Sequence, residues 1–379
     1  MEPSRRKHNF SGGPGALPDV VLDEAQRAVA EIPGTGISIL GLSHRSPRFA
    51  AMVEELEENF RALLGLPPGW RVLFLQGGGT LQFSMVPQHL LRGRNQPAEY
   101  IISGYWSAKS VPDARLEGPV RILWDGMGEG FVRVPRAQEL DPGHGAAYLH
   151  YVSNETVEGL QFHDVPGRDD VPRVCDMSSD FLSRPHDMSR FDLVYAHAQK
   201  NLGPAGVTVV VLKDWIIDQA PRDLPALLQY RAHAEHNSIY NTPPVFAIYV
   251  TLLVSRWLLR DIGGLAAMGE INERKAARLY ACLDADPAFF VPHAARESRS
   301  LMNVTFRLKD RSLEARLAEE ADARELHGIA GHRALGGLRV SLYNAVTPAS
   351  VDVLCAFLED FAHQHRLRQA HAPLAQSLF

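Results

Sequence analysis

The chain has 379 residues, 45% of them apolar and 22% charged, with 39 Lys+Arg against 44 Asp+Glu. That length and apolar content suit two or three packed domains and exclude general disorder, and the formal net charge of −5 argues against a sequence-independent nucleic-acid binder, which carries a strongly basic face. Only six lysines occur (Lys7, Lys109, Lys200, Lys213, Lys275 and Lys309), so arginine supplies 33 of the positive charges and chemistry that needs an amine has few candidates.

In chain order, residues 1–10 are polar and basic with no apolar stretch behind them, unlike a secretory signal. A helix is predicted over 46–64, with Ser46-Pro47 as cap and first turn and Gly65 as the stop. Short apolar segments at 72–75, 100–103, 120–123, 147–152, 173–175, 193–196 and 207–212 read as strands, with helical patterns between several of them. That alternation implies parallel pairing in a doubly wound α/β layer. The continuous apolar run 207–211 suits a strand covered on both faces.

The longest mostly apolar stretch, 245–254, is broken at Ser255 and Arg256. It is about half of the ~20 residues a membrane span needs, so a soluble, cytoplasmic chain is expected. Past about residue 259 the texture changes to a long polar helix (264–283), a strand (302–308), a helix near 312–323, a strand (338–342) and a last helix (347–365). These fit a smaller α+β domain, and 369–379 reads as a loose tail. Cys175, Cys282 and Cys355 are far apart in sequence and form no CxxC or Cys/His cluster, so neither a disulfide framework nor a metal site is indicated.

Three constellations carry chemistry. Gln76-Gly77-Gly78-Gly79-Thr80 lies between a strand and a helix, where backbone N–H groups and a helix N-terminus suit a phosphate. It matches neither dinucleotide nor nucleoside-triphosphate loops, and a tight turn without ligand remains an alternative. Lys200, in Gln199-Lys200-Asn201-Leu202-Gly203-Pro204, follows an apolar strand at the end where open α/β sheets bind ligands. Shielded there, its amine loses basicity and becomes nucleophilic; the competing reading is an ordinary loop lysine. Asp176 ends another strand, Trp106 opens a helix and Thr156 follows a further strand. A phosphate turn, a stacking aromatic, a strand-end Asp and a strand-end Lys, in that order, are the parts that bind pyridoxal phosphate. The other five lysines read as ordinary. The third group, His44-Arg45, His332-Arg333 and Arg339, stands beside glycine-containing turns and suits an anionic substrate, or a chance pairing in an arginine-rich chain.

These motifs coincide over nearly the whole chain with a known pattern. It includes Asn9-Phe10-Ser11-Gly12-Gly13-Pro14-Gly15, Gly104-Tyr105-Trp106, Asn154-Glu155-Thr156-Val157-Glu158-Gly159, Asp176-Met177-Ser178-Ser179, the lysine block, Asn241-Thr242-Pro243-Pro244 and Gly331-His332-Arg333. On them the sequence resembles the phosphoserine aminotransferases, pyridoxal-phosphate enzymes of the class-V aminotransferases with the aspartate-aminotransferase type of fold (fold type I). The resemblance implies a large mixed-sheet α/β domain over 16–260, a small C-terminal α+β domain over 261–379, and residues 1–15 packed near the latter. It implies a homodimer with shared active sites, and no nucleic-acid or membrane partner.

By the same resemblance, Lys200 would bind the cofactor covalently and move the proton at the substrate Cα, while Asp176 would pair with the pyridine nitrogen. Trp106 would stack on the ring, Thr156 would bond its hydroxyl, and Gly79, Thr80 and Gln199 would hold the phosphate. Asn241 and Thr242 would reach that phosphate from the other subunit. His44 and Arg45 would bind the substrate's distal anion, joined by His332 and Arg333 across the interface, and Arg339 would take the α-carboxylate. Thr80 stands where some members have arginine. The implied reaction is ping-pong transamination from L-glutamate to 3-phosphohydroxypyruvate, in serine or pyridoxine biosynthesis. The alternative is a related aminotransferase acting on a different phosphorylated or small keto acid.

Overall fold

The computed structural model describes residues 7–140 and 145–370. The start of the basic N-terminus and most of the expected loose tail lie outside the described residues; Gln369 and Ala370 close the last helix. Among the described residues no helix is long and apolar enough to cross a membrane.

A seven-stranded sheet forms the centre, in the spatial order Trp70–Leu75, Thr208–Lys213, Leu193–His197, Arg173–Asp176, Tyr148–Val152, Ala98–Ile102, Val120–Asp125. Its pairings are parallel except for Thr208–Lys213, which runs antiparallel to both neighbours. This is the mixed sheet that the resemblance implies; the parallel pairing implied by the alternation of elements holds for every strand but this one. Only residues 198–207 join Leu193–His197 to Thr208–Lys213. A parallel return needs a crossover of about a dozen residues or more, usually with a helix, so the chain doubles back instead.

The pleat sends alternate residues to opposite faces. Val72, Phe74, Tyr151, Cys175, Val194 and Val209 join the cluster under helices Asp19–Ala30, Pro47–Leu64 and Val245–Trp257. Leu73, Leu75, Tyr148, Val174, Tyr195 and Val210 join the cluster under helices Gly78–Leu90 and Tyr105–Glu117. Helix Pro47–Leu64 starts and ends where its sequence signals stand. The Ser46 hydroxyl accepts from the Phe49 amide at 3.2 Å, and Gly65 takes a left-handed φ of 60°. The apolar run near 245–254 is a helix buried along nearly its whole length, which explains its lack of a polar stripe.

A separate apolar cluster joins helices Leu265–Asp284, Glu314–Ala323 and Pro348–Ala370 to the three-stranded antiparallel sheet Phe290–Pro292, Asn303–Leu308, Leu338–Ser341. Phe10 is buried in this cluster, and His8–Asn9 pairs in parallel with Leu326–His327.

The lysines need one correction. Lys275 is not in an ordinary setting: it is 1% exposed and donates from Nζ to the Leu342 and Tyr343 carbonyls, both at 2.9 Å. Met268, Asn272, Lys275, Leu279 and Cys282 are all buried on helix Leu265–Asp284, at alternating steps of four and three. That period places Lys275 on the inner face despite its charge. Burial lowers its pKa to about 7.

Candidate active site

The strands Trp70–Leu75, Leu193–His197, Arg173–Asp176, Tyr148–Val152 and Ala98–Ile102 run the same way, so their C-terminal ends share one edge of the sheet. A cavity of about 410 Å³ opens there, lined by Gly77, Gly78, Gly79, Thr80, Trp106, Thr156, Asp176, Ser178, His197, Gln199 and Lys200, among others. This is where open α/β sheets place their ligands.

Each wall has a local cause. Gly77 and Gly78 take φ of 94° and 70°, a left-handed turn that glycine adopts without strain, and helix Gly78–Leu90 begins within it. Its first backbone N–H groups lack intrahelical partners and face the anion-favouring end of the helix. A Cβ on Gly79 would stand 3.4 Å from the Ser178 hydroxyl and 3.8 Å from Asp176 Oδ2, so the backbone closely approaches the opposite wall.

Lys200 follows the end of Leu193–His197 and is 9% exposed. Its Nζ donates to Thr156 Oγ1 at 2.5 Å and lies 5.7 Å from the centre of the Trp106 ring. Burial lowers its pKa to about 8; the Asp176 charge opposes that fall and Arg339 adds to it. Asp176 is the last residue of its strand and is 5% exposed. Its Oδ1 accepts from the Ser178 amide at 2.8 Å. Burial raises its pKa, while the Ser178 hydrogen bonds and the Lys200 charge act against that rise.

Trp106 is held by the two glutamates of the Asn154–Gly159 motif. Helix Tyr105–Glu117 starts at Gly104, and its first amides donate to buried carboxylates. Tyr105 N reaches Glu158 Oε1 at 3.0 Å, Trp106 N reaches Glu155 Oε2 at 3.0 Å and Ser107 N reaches Glu155 Oε1 at 2.9 Å. Acidic groups suit the positive end of a helix. A Cβ on Gly104 would come 2.6 Å from Glu158 Oε2, so only glycine permits this approach. Burial, and then the neighbouring Glu155 charge, raise the Glu158 pKa to about 8.

Arg339 stands on strand Leu338–Ser341 and donates from Nη1 to the Thr156 carbonyl at 3.5 Å; its buried Nε has no partner among the described residues. Its guanidinium lies so close to Gly12 that any Cβ there would collide with it. The His332 ring centre lies 5.2 Å from that of Tyr105, which lies 5.1 Å from that of Trp106. Burial and then the Arg339 and Arg333 charges hold the His332 imidazole below its usual pKa. Arg333 is exposed.

Seven expected residues are not on the cavity lining: His332, Arg333 and Arg339, and four others. Exposed Arg45 and half-buried His44 occupy the turn before helix Pro47–Leu64, and Asn241 and Thr242 precede helix Val245–Trp257. The Thr242 carbonyl accepts from Gln76 Nε2 of the same chain at 2.9 Å, beside the glycine turn but outside its cradle.

Against this geometry, the family Aminotransferase class-V matches residues 8–354. A phosphoserine aminotransferase of Laribacter hongkongensis is 46% identical over 358 residues, covering 94% of this chain and 99% of that protein. The chain belongs to the class-V aminotransferases, among the phosphoserine aminotransferases. The solved phosphoserine aminotransferase of Bacillus circulans subsp. alkalophilus superimposes with a TM-score of 0.92 at 41% identity, covering 96% of this chain and 100% of its own. The PLP-bound phosphoserine aminotransferase of Trichomonas vaginalis does so with a TM-score of 0.87 at 33% identity, over 93% and 100%.

A class-V aminotransferase of this kind needs room for pyridoxal phosphate, and the cavity fits it. The glycine turn offers amides to a phosphate, and Trp106 presents an aromatic wall. Buried Asp176 carries a negative charge that burial disfavours and a cation would satisfy. The sequence reading assigned nothing to four residues that serve this site. Ser178 and His197 line the cavity, and Glu155 and Glu158 hold the helix that carries Trp106. All four lie within or next to motifs already visible in the sequence. A signal for the glutamates was present in Asn154–Gly159, where two acids sit in a strand-end segment with no lysine or arginine inside it.

Proposed function

We propose that this chain transfers the amino group of L-glutamate to 3-phosphohydroxypyruvate, giving O-phospho-L-serine and 2-oxoglutarate, with pyridoxal phosphate as its cofactor. The observation that carries the reading is the buried Lys200–Asp176 pair, set around one cavity with a glycine turn on one wall and Trp106 on another. Pyridoxal phosphate supplies the electron sink that stabilises charge at the substrate Cα. Lys200 holds the cofactor aldehyde end and carries the Cα proton on Nζ, aimed by Thr156 Oγ1 and stripped of part of its basicity by burial. Asp176 keeps the ring nitrogen protonated. Gly79, Thr80 and Gln199 hold the phosphate; with Thr80 in place of an arginine, backbone amides carry most of that work.

Arg339 takes the substrate α-carboxylate, which would occupy its unpartnered Nε. His332, whose ring stands beside Tyr105, and its neighbour Arg333 meet the distal group, a γ-carboxylate in one half-reaction and a phosphate in the other. Both are oxygen anions that accept several N–H donors, so one cluster serves both. His44, Arg45, Asn241 and Thr242 lie outside the cavity of their own chain, which supports a homodimer in which each subunit completes the other's site. The same reading includes a cytoplasmic location and a division into units at 16–260 and 261–379, with residues 1–15 beside the latter. The separate apolar cluster that takes in Phe10 supports that division.

The test is a half-reaction series. The enzyme is loaded with glutamate, freed of excess, and offered 3-phosphohydroxypyruvate, pyruvate, oxaloacetate or glyoxylate. O-Phosphoserine forms fastest by at least about tenfold, since the distal phosphate finds charged donors that the small acids leave unused. Faster amine transfer to an unphosphorylated acid would overturn the substrate assignment.

A further inference from the structure

Helix Leu265–Asp284 packs along the last helix, Pro348–Ala370, and each contributes one cysteine to their contact. Cys282 and Cys355 are 73 positions apart, yet the Cys282 Sγ lies 3.8 Å from the Cys355 carbonyl oxygen. In return the Cys355 Sγ lies 3.9 Å from the carbonyl oxygen of Arg278, one turn before Cys282. Each thiol therefore rests against a turn of the other's helix. They are 4% and 0% exposed, within the apolar cluster of the C-terminal elements, while Cys175 belongs to the core of the large sheet.

We propose that Cys282 and Cys355 form an oxidisable dithiol, which a hydroperoxide converts into an intramolecular disulfide joining these two helices. The Cys355 thiolate attacks one oxygen of hydrogen peroxide, the O–O bond breaks, and hydroxide leaves and is protonated to water. Cys355 is then a sulfenic acid. The Cys282 sulfur attacks that sulfur, the S–O bond breaks, and a second water leaves with the Cys282 proton. Two thiols are oxidised and one peroxide is reduced. The neighbouring Cys282 side chain lowers the Cys355 thiol, burial opposes that fall and the Arg278 guanidinium assists it, which favours Cys355 as the attacking sulfur. The small size of the peroxide suits a pair that a bulky disulfide reagent would reach slowly.

The test uses the full-length, cofactor-loaded protein, exposed to hydrogen peroxide, quenched, denatured without reductant and titrated for thiols. The titre falls from the three free cysteines to one. The intact mass drops by about 2 Da, and a digest yields a Cys282–Cys355 linked peptide that dithiothreitol separates. Three surviving thiols, a bond to Cys175, a bond between chains, or mass rising by added oxygen alone would each overturn the proposal. Cys282→Ser and Cys355→Ser variants each keep two thiols and show no mass drop. A drop in either would also overturn it.

Discussion

Lys200→Ala abolishes transamination, with turnover falling by about three orders of magnitude or more. The reason is local. Lys200 is the one lysine that lines the cavity, and its Nζ sits between Thr156 Oγ1 and the Trp106 ring. Burial brings its pKa to about 8, so near neutral pH a far larger share of this amine is unprotonated than at an ordinary lysine, near 10.4. His197, the other titratable nitrogen on the lining, cannot make the covalent bond of a primary amine. Lys275 is also buried, but its Nζ is committed to the Leu342 and Tyr343 carbonyls. The variant should fold, because truncating Lys200 removes an amine from a cavity wall rather than apolar volume from a core. A near-ultraviolet circular dichroism spectrum matching the wild type, with single-turnover amine transfer lost, checks both parts. Transfer at the wild-type rate would remove Lys200 from the mechanism.

Asp176→Asn lowers turnover by about 10²- to 10³-fold, the usual cost of removing one preorganised electrostatic partner. The substitution keeps the shape and an oxygen for the Ser178 amide, and it takes away the charge. A second consequence has a definite sign. The Asp176 charge is the largest influence that raises the Lys200 pKa against burial. In cofactor-free Asp176→Asn the Lys200 amine therefore titrates lower than in the cofactor-free wild type, below about 8. The pH dependence of Lys200 acylation, followed by peptide mapping, measures it. An unchanged or higher midpoint would show that the two groups do not share the cavity as described.

Much of this site was legible because the chemistry stands on strand ends. Asp176, Thr156, Trp106 and Lys200 each follow a short apolar strand, and parallel strands bring their C-terminal ends to one edge whatever the details of packing. The direction of strand Thr208–Lys213 is not legible in its apolar run, which fits either; the shortness of the connection decides it. Lys275 reads as ordinary by residue type, although the four–three spacing from Met268 to Cys282 puts it on the buried face. Glu155 and Glu158 escaped notice because their partners are backbone amides of a helix start about fifty residues away, and backbone groups leave no residue signature. Nothing in the spacing of Cys282 and Cys355 could reveal a contact made only by packing two helices. His44, Arg45, Asn241 and Thr242 stand off the cavity lining of their own chain, and a role for Asn241 and Thr242 comes from resemblance alone.

One amine among six carries the chemistry. Reduction of the cofactor-loaded enzyme with borohydride, followed by digestion and mass mapping, tests it most directly. A single stable pyridoxyl group is expected, on Lys200. Labelling of Lys275 or another lysine in its place, or no labelling of a protein that has taken up pyridoxal phosphate, would contradict it.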